Sequence, residues 1–144
     1  MADEDTLYPL EVVLQGTPLA LQSKSAAHRQ AWRQRVRDAT RDRQRETYEL
    51  GFLDERALAV TIYYFPSAPM EGDVDNIVKL ILDGMKGFAY LDDHAVERVT
   101  VQKFEPDEDW EFLTPTDQLA FALDMEAPVV YIRVDDDLSW RRVS

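Results

Sequence analysis

Acidic residues and one lysine stand close together in the middle of this sequence. They are Asp73, Asp75, Lys79, Asp83, Asp92 and Asp93. If the chain returns Asp92 and Asp93 to the start of a helix near Asp73, several carboxylates crowd one concavity, and like charges at such range repel. Protonation or a bound divalent cation relieves that repulsion. The set contains neither His nor Cys, so its oxygen ligands favour Mg²⁺, with Mn²⁺ as a substitute.

The two acids at the start of the helix need a particular backbone to point the same way. Residues i and i+2 of a helix do not share a face, so Asp73 and Asp75 converge only if Asp73 caps the helix in extended geometry. Lys79 then lies one turn after Asp75, on the same face. Taken singly, each residue has a plainer interpretation, as a helix cap, a solvated row of ion pairs or a turn.

A metal ion at such a site would act on a phosphate ester. Mg²⁺ held by few carboxylates keeps several waters, and one of these can become the nucleophile at phosphorus. The metal also stabilises the charge that builds on the phosphoryl oxygens. Lys79 suits a contact with the transition state or the leaving group, because its ammonium can follow an anionic oxygen.

The same positions resemble the RusA-type Holliday-junction resolvases. Members of that family have an Asp-x-Asp-Asn-x-x-Lys run at the start of a helix, an Asp one turn on, Gly-Phe, and a Leu-Asp-Asp loop before a strand with a Lys. The matching residues here are Asp73-Val-Asp75-Asn76-Ile-Val-Lys79, Asp83-Gly84, Gly87-Phe88, Leu91-Asp92-Asp93 and Lys103. The family usually has Gln after the Asp pair, where this chain has His94, and its members are commonly basic.

The resemblance implies a homodimer that binds four-way DNA junctions and nicks two strands with Mg²⁺. Carried over by position, the family's catalytic acids are Asp73, Asp75 and Asp93, and its essential lysine is Lys79. The metal ligands are expected among Asp73, Asp75, Asp92 and Asp93.

Positive charge is concentrated in one segment of an otherwise acidic chain. The net charge of −12, taken as a sum, argues against a nucleic-acid partner. Between Lys24 and Arg45, however, eight basic residues stand against two acidic ones, so this segment carries +6 and the remainder −18. Such a stripe can engage phosphates locally, because charges beyond about 10 Å are largely screened. DNA contacts are predicted at Lys24, Arg29, Arg33, Arg37 and Arg41; the plainer interpretation is a solvated helix face.

Hydrophobic patterns predict an alternating order of strands and helices. Strands are expected at Leu10–Gln15, Ala57–Phe65, Val96–Phe104 and Val129–Val134. Helices are expected from about residue 25 to 48 and from about 74 to 86, with a short helix or irregular structure at about 116 to 125. This order indicates an α+β fold, a mixed β-sheet with two main helices packed on it, as in the RusA-like proteins.

Length and composition fit one soluble domain over residues 1–144. The chain has no Cys, which excludes disulfides and thiolate metal sites. No apolar run approaches the roughly 18 residues of a membrane span, and the acidic start MADEDT is unlike a signal peptide. We therefore expect a cytoplasmic protein with no membrane partner.

Two other functions compete with a structure-selective endonuclease. One is a catalytically inactive junction-binding or protein-interaction module of the same fold, suggested by the −18 charge outside the basic segment. The other is a metal-dependent phosphohydrolase that acts on small nucleotides. Nicking of junction DNA in Mg²⁺ or Mn²⁺ would separate the first hypothesis from both.

Overall fold

The computed structural model describes residues 7–19, 25–47, 53, 55–70 and 72–139. The predicted DNA contact at Lys24 lies outside these residues. Within them the chain forms four strands and three α-helices, with short 3-10 turns before α2 and before β3.

The four strands form one mixed sheet. They are β1 (Leu10–Gln15), β2 (Leu58–Phe65), β3 (Val96–Lys103) and β4 (Val129–Asp135). Their spatial order is β1-β4-β2-β3. β4 pairs antiparallel with both β1 and β2, whereas β2 and β3 run parallel. The last strand in sequence therefore occupies a central place, and β3, which follows the candidate carboxylates, lies at an edge.

The helices pack on both faces of this sheet. They are α1 (Ala26–Thr47), α2 (Val78–Met85) and α3 (Asp117–Asp124), and a 3-10 turn at Val74–Ile77 leads into α2. α1 contacts β1 and α2, while α3 contacts β1 and β4. The predicted α+β class, with a mixed sheet and two main helices, is confirmed, and the short third helix forms as well.

Alternating side chains divide the sheet into two apolar faces, as the pleat of a strand requires. Ile62 and Ile132 are fully buried in the larger cluster beneath α1 and α2. Tyr63 and Tyr131 belong to the smaller cluster beneath α3. The α1–α2 face therefore holds most of the core, and the acidic residues of α2 lie on its outer side.

A close helix crossing at Gly84 brings α1 against α2. A Cβ atom at this position would lie 2.7 Å from Val36 Cβ and 2.9 Å from the backbone oxygen of Arg33. Real Cβ atoms do not approach other atoms so closely, so glycine is required by the packing of the two helices. Asp83, the residue before Gly84, is thereby held beside α1.

Replacing Gly84 by alanine should destabilise the fold. Overpacking of a tight contact costs about 1–3 kcal/mol, which exceeds the roughly 0.5–1 kcal/mol that alanine gains over glycine in a helix. Thermal or urea unfolding would measure the net loss. Part of the clash is with Val36 Cγ1, at 2.8 Å, which an alanine lacks, so the double variant Gly84→Ala/Val36→Ala should lose less than the sum of the two single variants; a stabilised Gly84→Ala protein would contradict the close crossing.

Among the described residues, we find no helix whose length and hydrophobicity would let it span a bilayer.

Candidate active site

Two acids, Asp73 and Asp75, lie at the start of the α2 segment with exposed side chains. Asp73 precedes the 3-10 turn in extended geometry, with φ −93° and ψ 140°, and its carbonyl accepts the N–H of Asn76 at 3.1 Å. Its carboxylate does not cap the turn, and it is exposed. Asp75 lies in the first turn and is exposed too. The backbone geometry that was predicted for these two residues is therefore present.

Lys79 lies between two carboxylates from different parts of the chain. Its Nζ is 3.0 Å from Asp83 Oδ1, one turn further along α2, and 3.2 Å from Asp93 Oδ2, in the turn before β3. The hydrogen bond to Asp83, and then that to Asp93, raise the pKa of Lys79 above its ordinary value of 10.5. Lys79 is consequently an ammonium at neutral pH and does not serve as a general base.

One oxygen of Asp93 has a partner and the other does not. While Oδ2 contacts Lys79, Oδ1 is buried and makes no hydrogen bond within the described part of the chain. A buried carboxylate oxygen without a partner costs free energy, so it points to a ligand that the chain itself does not provide.

Tyr90 is a buried, uncharged residue close to Asp83 and Asp93. Its ring is fully buried, and its hydroxyl donates to the carbonyl of Leu82 at 2.6 Å. Burial, followed by the negative charges of Asp93 and Asp83, raises the pKa of Tyr90. The hydroxyl therefore stays protonated and adds no further negative charge.

Asp92 contacts the residue that follows Asp93. Its carboxylate accepts the backbone N–H of His94 at 3.4 Å, its Oδ1 lies 3.4 Å from His94 Nδ1, and its side chain is 55% exposed. The backbone hydrogen bond and then the His94 ring lower the pKa of Asp92. In this arrangement Asp92 stabilises the turn, as its plainer interpretation predicts.

The atoms present suit a hard cation. The candidate donors are carboxylate oxygens, Asp93 Oδ1 is buried without a partner, and Asp73 and Asp75 make no side-chain hydrogen bond or ion pair among the described residues. Oxygen donors of this kind favour Mg²⁺ or Mn²⁺. In the part of the chain that the structure describes, no three His, Cys, Asp or Glu side chains lie close enough together to form a metal-binding group. The gathering of Asp73 and Asp75 with Asp93 thus stays a prediction.

The predicted DNA-contacting arginines of α1 are engaged to different degrees within the protein. Arg33 Nε lies 3.6 Å from Asp83 Oδ2. Arg37 donates to the carbonyl of Lys86 at 3.0 Å, and its guanidinium lies 4.8 Å from the ring centre of Phe88. Arg41 pairs with Asp38 and Asp42 on its own helix. Arg29 lies in the first turns of α1 and is half-buried.

The link from Arg33 to Asp83 and the buried Tyr90 were not predicted from the sequence. Arg33 and Asp83 are fifty positions apart, so helical spacing within either segment gives no sign of their contact. The only local signal is Gly84, a glycine inside an amphipathic helix, which indicates a close approach by another element.

A family model for the endodeoxyribonuclease RusA matches residues 15–109. This match covers about two thirds of the chain and includes every candidate residue from Asp73 to Asp93. The chain belongs to the RusA endodeoxyribonuclease family. Among curated proteins we found no significant match. The RusA match ends before α3 and β4, so the central strand and the helix on the opposite face lie outside it.

The opposite face of this RusA-family protein carries a separate cleft of about 540 Å³. It is lined in part by Tyr63, Phe112 and Tyr131. Arg133, which also lines it, is paired with Asp135 at 2.9 Å. The loop before α3 is strongly acidic, with five Asp or Glu and no Lys or Arg from 105 to 116. The acids of α2 lie on the other face, so this cleft is distinct from the candidate active site.

Glu105 connects the loop before Asp73 to the end of β3. Its carboxylate accepts the backbone N–H of Met70 and lies 3.2 Å from Lys103 Nζ. The hydrogen bond from Met70, followed by that from Lys103, lowers the pKa of Glu105 below its ordinary value of 4.5. This contact restrains the segment that leads into Asp73.

Acidification should break the contact between Glu105 and Met70 only at a pH below the ordinary pKa of a glutamate. Because the pKa is lower in the folded state than in the unfolded chain, the stabilisation is complete above the ordinary pKa and is lost as the pH falls through the lowered one. The amide proton of Met70 should therefore titrate in NMR spectra with a midpoint below 4.5. Glu105→Gln should abolish this titration, whereas Glu108→Gln should preserve it; a midpoint above 4.5 would contradict the contact.

Proposed function

We propose that this protein is a Mg²⁺-dependent endodeoxyribonuclease that resolves four-way DNA junctions in recombination and repair. The observation that carries the proposal is the state of Asp93, whose Oδ2 pairs with Lys79 while its Oδ1 is buried and unpartnered. Membership of the RusA family supports the nuclease reaction. The exposed acids Asp73 and Asp75, before and within the 3-10 turn that leads into α2, support the proposal of a bound metal ion.

Asp93 would bind the metal through its unpartnered oxygen, and Asp73 and Asp75 would complete the protein ligands. Asp92, the fourth predicted ligand, is the neighbour of Asp93 in the sequence and contacts His94 instead. When bound, Mg²⁺ lowers the pKa of a coordinated water and stabilises negative charge on the phosphate. The carboxylates of Asp73 and Asp75 are exposed, and the backbone of the two residues has the extended-then-helical geometry that a shared ligand role requires.

Lys79 would supply the positive charge on the substrate side. Its ammonium is 54% exposed although it contacts two carboxylates, so a phosphate oxygen can reach it. It remains protonated because Asp83 and Asp93 raise its pKa. An ammonium at this place stabilises a developing oxyanion on the phosphate or on the leaving group.

The basic face of α1 would bind the DNA backbone. We propose contacts from Lys24, Arg29, Arg37 and Arg41, with Arg33 placed nearest to the candidate active site through its contact with Asp83. Each phosphate neutralised by such a residue makes binding more sensitive to salt. Two copies of the chain would act together as a homodimer, one on each of the two strands that are cut.

Cleavage of synthetic DNA across divalent metals tests this function. A four-way junction, a linear duplex and a splayed-arm substrate of the same sequence should be incubated with Mg²⁺, Mn²⁺ or Ca²⁺. We expect symmetric nicks in the junction with Mg²⁺ and Mn²⁺, little cleavage of the linear duplex, and binding without cleavage in Ca²⁺. Binding of the junction without nicks in any metal would favour the inactive module, and hydrolysis of a mononucleotide alone would favour the phosphohydrolase.

A further inference from the structure

Asp83 contacts two basic side chains at once, one on its own helix and one on α1. Its Oδ1 lies 3.0 Å from Lys79 Nζ, and its Oδ2 lies 3.6 Å from Arg33 Nε. The side chains of Asp83 and Arg33 are only 27% and 30% exposed. Through Lys79 the series of contacts continues to Asp93. Arg33 is therefore connected, side chain by side chain, to the candidate metal ligand.

Within α2 alone, the contact between Lys79 and Asp83 is a weak restraint. In an i,i+4 pair the order with the acid first is the more favourable, because it agrees with the helix dipole, and here the lysine comes first. Lys79 is also largely exposed, so water competes for its ammonium. A second contact that restricts the rotation of the Asp83 carboxylate therefore restricts Lys79 as well.

The helix crossing explains why Arg33 can make that second contact. Gly84 has no side chain, and the backbone oxygen of Arg33 lies directly against it. This approach brings the first atoms of the Arg33 side chain beside Asp83, on the outer side of the crossing. Arg33 also donates to Gln30 at 3.0 Å, which further orders its guanidinium.

We propose that Arg33 is a positioning residue, which orients Asp83 so that Asp83 holds Lys79 beside Asp93. Its effect on strand cleavage passes through these side chains instead of through a contact of its own with DNA. The kinetic part of this inference rests on the proposed nuclease function. The structural part, the ordering of the Lys79 ammonium, does not.

A double-mutant cycle separates an effect of Arg33 through Asp83 from a direct contact of Arg33 with DNA. Asp83→Asn should lower kcat for junction nicking about tenfold or more, as the loss of an outer-shell partner does, and Arg33→Gln should lower it less. Neither change should alter KM or binding in Ca²⁺ more than about twofold. The double variant should be no slower than Asp83→Asn alone, because residues that act in series are not additive. Arg33→Lys should retain part of the kcat that Arg33→Gln loses.

Arg41→Gln provides the matched contrast, because Arg41 pairs only with acids of its own helix in the described contacts. It should weaken junction binding and raise KM while kcat stays unchanged. If Arg33→Gln instead raises KM in the same way, or if its effect multiplies with that of Asp83→Asn, Arg33 contacts DNA directly and the inference is wrong.

NMR spectra of the lysine ammonium groups test the structural part without catalysis. The chain has four lysines, so the signal of Lys79 can be assigned by single substitution. We expect this signal to broaden or vanish in Asp83→Asn and to weaken in Arg33→Gln, but to persist in Arg41→Gln. If Lys79 is unaffected by Arg33→Gln, the inference fails. If the native protein does not nick DNA, the proposed function fails and these spectra alone decide the inference.

Discussion

Replacement of Asp93 by asparagine should reduce nicking of a four-way junction by about 10²–10⁴-fold. In the proposed mechanism Asp93 holds Mg²⁺, whose stabilisation of phosphoryl charge is worth several kcal/mol, and each step of about 1.4 kcal/mol changes the rate tenfold. Asparagine keeps the size of the side chain but removes the charge that the buried, unpartnered Oδ1 brings to a cation. The cleavage rate at saturating Mg²⁺, measured with excess enzyme, would give the size of the effect.

The neighbouring acid separates a metal-binding role from general loss of negative charge. Asp92 is exposed and already engaged with His94, so Asp92→Asn should cost much less activity than Asp93→Asn. Asp107→Asn, in the acidic loop on the opposite face, should leave cleavage unchanged. Equal losses at Asp92 and Asp93 would show that the structure does not distinguish their roles, and full activity of Asp93→Asn would remove that residue from the mechanism.

Replacement of Lys79 by alanine should lower kcat by about 10²–10³-fold, the usual cost of removing one group that stabilises charge in the transition state. KM should change little, because the basic residues of α1 would supply most of the affinity. Lys79→Arg should restore part of the rate, since it keeps the charge but not the compact shape of an ammonium. Single-turnover nicking and junction binding in Ca²⁺ would separate the two parameters.

The expected loss of kcat in Lys79→Ala should not come from unfolding, and a stability measurement tests this. Ion pairs of exposed side chains contribute at most about 1 kcal/mol, so Lys79→Ala should unfold near the temperature of the native protein. Arg56 forms an ion pair of 2.7 Å with Asp136, away from α2, and Arg56→Ala serves as the matched loss of a paired cation. A Lys79→Ala protein that is stable and fully active would contradict the proposed role.

Local structure was largely predictable from sequence because it depends on neighbouring residues. The β-branched and aromatic run of β2 forms the expected strand, and at the start of α1 the hydroxyl of Ser25 accepts the N–H of His28, the bond that an N-cap serine makes. α2 begins with a 3-10 turn at Val74–Ile77, where apolar spacing alone predicts only a helix. Trp32 and Val36, which are one helical turn apart on α1, are both buried.

Long-range arrangement could not be deduced in this way. The insertion of β4 between β1 and β2 depends on pairs such as Ile62 with Ile132, which are far apart in sequence. For the same reason spacing placed Lys79 on the same helix face as Asp75 but did not identify its contacts, which are with Asp83 and Asp93. The order of acids in the sequence predicted the candidate site, and the packing of α1 on α2 adds the contact of Arg33 with Asp83.

The arginines of α1 and the acidic loop that packs over Phe65 and Phe104 lie on opposite sides of the sheet, although the acids of α2 share the α1 side. A polyanion that approaches the α3 side meets the acidic loop, whereas one that approaches the α1 side meets the arginines. An approaching polyanion repels the acidic side, exerts a torque on the protein and turns the α1 side toward itself before contact. Encounters with DNA should therefore be oriented at low ionic strength, and this bias should disappear as added salt shortens the range of the field.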